Sequence, residues 1–91
     1  MNILHREILV KGRVQGVYFR ASAKSAADKL NVKGRVRNTP EGHVWIAAEA
    51  TPGAMSAFIE WCKQGPPMAN VTACEVTEGA PEHYTDFVIQ R

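Results

Sequence analysis

The 91-residue sequence has only two cysteines and three histidines, no Gly-Lys-Ser/Thr run, and no apolar stretch near membrane-spanning length; each shortage removes a class of function. Cys62 falls on the apolar stripe of an expected helix and Cys74 in an expected strand. They read as reduced thiols packing in the core, in reach of contact across it, and not as a disulfide framework. Neither is followed six positions on by the arginine that closes the thiolate cradle of a cysteine phosphatase, since Met68 and Ala80 stand there. The missing Gly-Lys-Ser/Thr after Gly16 excludes the phosphate loop of nucleotide hydrolases. His5, His43 and His83 lack metal-ligand spacing with one another, so no metal site is expected. The net charge of +2 falls far short of the basic excess of a dedicated nucleic-acid binder and suits an anionic small-molecule substrate. The opening MNILHREILV carries no long apolar run, which excludes a membrane anchor and points to a cytoplasmic protein. At 45% hydrophobic the chain has material for one domain, residues 1–91, with one modest core. Nothing repeats and nothing is low-complexity.

What is present begins with the segment from Gly12 to Arg20, GRVQGVYFR. Upstream, Ile8 and Val10 alternate with Glu7 and Lys11 as in a half-buried strand, and downstream an alanine-rich helical pattern starts. The loop therefore sits at a helix N-terminus, where backbone N–H groups are unpaired and an anion is welcome. Gly12 and Gly16 would let the backbone turn and approach the anion, and Arg20 could grip two phosphate oxygens with its planar fork. On local pattern alone, a plain strand-to-helix turn with a solvated arginine accounts for the same residues.

The remaining elements follow from periodicity and turn chemistry. Ala23, Ala26, Ala27 and Leu30 recur at helical spacing behind Phe19, and Asn31 can take the left-handed conformation of a C-cap. Lys33–Asn38 and His43–Glu49 read as a hairpin around Thr39-Pro40-Glu41-Gly42, with Val44, Ile46 and Ala48 on one face. Met55, Phe58, Ile59 and Cys62 mark a second helix from Pro52 to Lys63, stopped by Gly65-Pro66-Pro67. Strands Val71–Thr77 and Phe87–Ile89 close the chain. The order βαββαβ predicts an α+β sandwich, two helices covering one face of an antiparallel sheet whose other face is open. Strand parity puts Asn38 at the end of the inward row of Val32, Gly34 and Val36. A polar side chain there finds a partner or forfeits ~1–3 kcal/mol. That partner could be a bound water, or Asn38 could simply cap the turn that follows.

GRVQGVYFR, with Ala27 and Leu30, then Gly34-Arg35-Val36-Arg37-Asn38-Thr39 and Gly42, then Gly65-Pro66-Pro67 with Ala69 and Val71, resembles the acylphosphatase family over nearly the whole chain. The resemblance implies a ferredoxin-like sandwich that hydrolyses acyl phosphates, the mixed anhydrides of carboxylic and phosphoric acids, without metal, cofactor or covalent intermediate. It makes Arg20 the phosphate-binding arginine, Asn38 the water-orienting asparagine, and Gln15, Gly16, Val17, Tyr18, Phe19 and Arg20 the phosphate loop. Thr39 could buttress Asn38 or the loop, or simply form the turn. Inorganic phosphate would be product and competitive inhibitor. A domain of this size with charged helices reads as a monomer. Asn31 stands where the family usually has glycine, Arg35 where it often has an aromatic residue, and Glu41 and Ala50 also depart from its commoner residues.

Chemistry agrees with that substrate class. A carboxylate leaving group needs no proton, whereas the alkoxide of an ordinary phosphate monoester does, so a motif without histidine, carboxylate or cysteine suits acyl phosphates. Catalysis would consist of positioning and electrostatics. The alternative function is a non-enzymatic module binding RNA on the open sheet face, where parity gathers Lys11, Arg13, Arg35, Arg37, His43 and Trp45. No pair of exposed strand aromatics accompanies them, which sets this reading below the enzymatic one.

Overall fold

Apolar alternation in the first strand has the outcome that a period of two requires. In the computed structural model, which describes residues 2–90, Ile8 and Val10 are fully buried on one side of β1 (Leu4–Arg13), and Leu9 and Lys11 lie on the other. The chain continues through α1 (Phe19–Leu30), β2 (Lys33–Asn38), β3 (Val44–Ala50), α2 (Pro52–Gln64), β4 (Asn70–Gly79) and β5 (Phe87–Ile89). The hairpin pairs Asn38 with Val44 and Lys33 with Glu49. The inward row Val44, Ile46 and Ala48 is fully buried, as expected.

Both helices cover that inward face. Phe19, Ala23 and Ala27 of α1 and Met55, Phe58 and Cys62 of α2 are buried, while Ala26, Leu30 and Ile59 pack at the core's edge. Asn31 caps α1 at φ 59° and ψ 41°, and the Val32 amide donates to the Ala27 carbonyl at 2.8 Å, so the asparagine takes the left-handed position in glycine's stead. Pro52 opens α2, where its missing N–H costs nothing, and Gly65 ends it. No helix among the described residues is long and apolar enough to cross a membrane.

Two expectations about the sheet are corrected. Its strand order is β4-β1-β3-β2-β5, and β5 pairs with β2 in parallel, through Gly34 with Phe87 and Val36 with Ile89, so the sheet is mixed, not antiparallel. β4 and β5 lie at opposite edges, and residues 80–86 carry the chain from one to the other. The second face is therefore not fully open. The amides of Glu82 and Tyr84 donate to the Glu49 carboxylate, and beneath them Glu49 and His5 are only 3% and 2% exposed. Parity turns both side chains outward, and a buried carboxylate needs donors; the crossing segment supplies them.

Candidate active site

Three apolar anchors fix the loop between β1 and α1. Val14, Val17 and Phe19 are each no more than 2% exposed, and the residues between them face outward. Phe19 packs against Trp61 of α2, ring centroids 5.3 Å apart, which ties the start of α1 to the second helix. Gly16 has φ 73°, and a side chain there would meet no protein atom within 4 Å, so its need for glycine is conformational and it leaves the backbone accessible to a guest. Tyr18 serves as N-cap residue of α1 with a left-handed backbone. Among the described residues, the amides of residues 15–18 donate to no backbone carbonyl outside the helices and strands. With the amides of the first helical turn, they form a set of unpaired donors at the positive end of α1.

Gly12 does not belong to this cradle. It lies in β1 at a shift of register against β4, with φ 120°, and a Cβ would stand 2.2 Å from the Asn70 carbonyl oxygen. Its glycine permits close approach of two strands, not of an anion.

Asn38 reaches the loop from the end of β2. Its Oδ1 is buried and has no hydrogen-bond partner in the protein. Gln15 holds the two segments together: its Nε2 donates to the carbonyls of Thr39 and His43, both at 2.8 Å, and so ties the loop to the β2–β3 turn. Thr39 closes that turn. Its amide donates to the His43 carbonyl at 2.9 Å, its Oγ1 accepts from the His43 amide at 3.1 Å, and its carbonyl accepts from the Gly42 amide at 3.1 Å.

The result is a cleft of about 380 Å³ bringing together Gly16, Tyr18, Phe19, Arg20 and Asn38 of the expected residues, with Val14, Ala21 and Ile89 completing its lining. Gln15, Val17 and Thr39 lie outside that lining: Val17 anchors the loop in the core, and Gln15 and Thr39 brace it against the turn. Ile89 was missed because its place depends on the parallel pairing of β5 with β2, which nothing local in the sequence announces. Among the described residues, Arg20 is the one charged side chain of the lining, and no carboxylate, imidazole, amine or thiol joins it. The arrangement can hold an anion by amides and a guanidinium and offer a carbonyl acceptor to a small donor such as water.

Burial pushes the thiols of Cys62 and Cys74 up, and both are free. Among the described residues no group of three His, Cys, Asp or Glu side chains could hold a metal ion. On the outer face, Lys11 pairs with Glu75 at 2.8 Å, Arg35 pairs with Asp86 at 3.1 Å and covers the Tyr84 ring, and Arg37 lies 4.7 Å over Trp45. These cations and the tryptophan are engaged with one another or with carboxylates, an arrangement unlike a free platform for stacking bases.

The acylphosphatase family model matches residues 6–89. An acylphosphatase of Methylococcus capsulatus is 45% identical over 85 residues, covering 92% of each chain, and one of Gloeobacter violaceus is 45% identical over 84 residues, covering 92% of this chain and 90% of its own. The crystal structure of acylphosphatase from Bacillus subtilis superposes with a TM-score of 0.94 at 40% identity, covering 97% of this chain and 99% of its own. With a family match running nearly end to end and a relative of the same fold and length, this chain belongs to the acylphosphatase family.

Proposed function

We propose that this chain performs the hydrolysis of acyl phosphates that its family membership assigns to it by direct attack of a water held at Asn38 on a phosphate held by Arg20 and the loop amides. The amides of residues 15–18 and the first turn of α1, with the two-pronged grip of Arg20, bind the three non-bridging oxygens and stabilise the charge that spreads over them in the transition state. The side-chain amide of the half-buried Asn38 hydrogen-bonds the water and aligns it with phosphorus. The water oxygen forms a bond to phosphorus, the bond from phosphorus to the acyl oxygen breaks, and its electron pair leaves with the carboxylate. The water's proton passes to a phosphate oxygen, so the products are a carboxylate and inorganic phosphate. No general acid is needed for a carboxylate leaving group, which matches a cleft whose described lining has no carboxylate, imidazole, amine or thiol.

The observation that carries this reading is the buried Oδ1 of Asn38, without a protein partner, in the same cleft as Arg20. The reading takes residues 1–91 as one unit acting as a cytoplasmic monomer without metal or cofactor. Its test is turnover of benzoyl phosphate by the purified protein in excess chelator, with inorganic phosphate as inhibitor. Full activity and competitive inhibition are expected. Activity that vanishes with chelator and returns with metal, or noncompetitive inhibition, would contradict it.

A further inference from the structure

The two halves of the cleft come from segments that the sheet does not join. The loop that forms the phosphate cradle follows β1 and Asn38 ends β2, and β3 lies between those strands. Among the described residues, the hydrogen bonds that link loop residues 14–18 directly to the β2–β3 turn are the two from Gln15 Nε2. Their acceptors bracket Asn38: Thr39 follows it in the chain, and His43 precedes Val44, its partner across the hairpin. Gln15 itself stands between Val14, 1% exposed, and Gly16 of the cleft lining. One side chain therefore spans from the cradle to the backbone that carries Asn38.

The turn does not need this grip to close. The His43 carbonyl already accepts from the Thr39 amide and the Thr39 carbonyl from the Gly42 amide, and Gln15 takes the second lone pair of each. Removing the Gln15 donors therefore leaves neither carbonyl unpaired. What is lost is the fixed relation between cradle and turn. In-line attack depends on that relation, because phosphate and water are held by different segments, and a displacement of roughly 1 Å costs up to ~100-fold in rate.

We infer that Gln15 is a positioning residue for the reaction: its side chain sets the place of Asn38, and so of the water, relative to the phosphate, while only its backbone amide serves phosphate binding. This rests on the placement of phosphate and water proposed above. The test is a double-mutant cycle. Gln15→Met keeps length and shape without donors, and Gln15→Glu sets a carboxylate against two carbonyls. Each is measured alone and combined with Asn38→Ala, for kcat and for the inhibition constant of inorganic phosphate, on protein shown to be folded by its thermal melt. Gln15→Met should lower kcat for benzoyl phosphate by ~10- to 100-fold and Gln15→Glu by at least as much, with phosphate inhibition within about threefold of wild type. On top of Asn38→Ala, either change should lower kcat by less than about twofold, because the side chain it positions is gone. Two replacements are used so that if one fails to fold the other decides. Unchanged kcat in Gln15→Met, phosphate inhibition weakened as far as kcat falls, losses that multiply with that of Asn38→Ala, or failure of both variants to fold would overturn the role. Failure of the underlying reading would instead be visible in Asn38→Ala by itself, as turnover near the wild-type rate.

Discussion

On the outer face of the sheet, Glu49 accepts from His5 Nδ1 at 2.7 Å and from the amides of Glu82 and Tyr84, and nothing of its carboxylate is left without a donor. At the end of β2, on the inward face of the same sheet, the Oδ1 of Asn38 is just as hidden from solvent and has no protein partner at all. Both groups are polar and buried, and both are placed by strand parity, yet one is fully paired within the chain and the other is not. The contrast separates two uses of a buried polar atom. Pairing within the protein fixes the crossing segment 80–86 to the sheet and contributes stability, whereas an unpaired acceptor beside unpaired amides keeps binding capacity for a ligand at a cost in stability.

The largest expected effect of breaking this contrast is at the unpaired end. Asn38→Ala should lower turnover by ~100- to 1,000-fold, with inorganic phosphate affinity nearly intact, because the loop and Arg20 remain. Steady-state kinetics with phosphate inhibition checks both parts. Arg20→Lys keeps the charge but not the planar fork, and should lower turnover by ~100-fold while also weakening phosphate inhibition, which distinguishes it from the asparagine variant.

At the paired end the effect moves to stability. Glu49→Gln retains the shape but turns an amide nitrogen toward donors, and should cost ~1–3 kcal/mol with activity per folded molecule unchanged. In a domain of this size each kcal/mol lowers Tm by roughly 4–8 °C, so a thermal melt reads it.

The smallest effect is in pH dependence, and the two ends differ there as well. Burial alone would raise the Glu49 carboxyl, but the bonds from the Glu82 amide, from His5 and from the Tyr84 amide outweigh it and hold the group below its ordinary value of 4.5. A carboxyl depressed in the folded state contributes stability in full above that ordinary value and loses it as pH falls through the lower folded value. Wild-type Tm should therefore drop more steeply in acid than that of Glu49→Gln, as melts across the acid range would measure. Turnover should be nearly flat between about pH 5 and 8, apart from the substrate's own ionisation, because the described lining of the cleft has no carboxylate, imidazole, amine or thiol to titrate there. A bell-shaped profile lost on replacing His43 would reveal a missed proton donor.

How far the sequence discloses these regions depends on how local each feature is. The left-handed Asn31, the turn closed by Thr39 and Gly42, the Pro52 start and the Gly65 stop are set by residues within a few positions, and all were legible. Helix and strand ends moved by only one or two residues, as with β3, which runs Val44–Ala50 instead of His43–Glu49. Arg20 and Asn38 were legible because a nearly chain-long motif marks them, and the fold then brings both to one cleft. The bracing by Gln15 was not legible, since its acceptors are backbone carbonyls 24 and 28 positions away. Nothing local marks Glu49 as a buried, paired carboxylate; its donors are amides 33 and 35 positions on, in a polar segment whose path across the sheet no local pattern records. Gly12 was misread for a similar reason: its close neighbour, Asn70, belongs to a distant strand.

The most direct test of the central claim crosses the two ends, with turnover, phosphate affinity and Tm measured on one preparation each of wild type, Asn38→Ala and Glu49→Gln. The account predicts that Asn38→Ala loses turnover while keeping phosphate affinity and most of its Tm, and that Glu49→Gln loses Tm while keeping both other properties. A folded Asn38→Ala variant that binds phosphate and turns over substrate at near wild-type rate would contradict it.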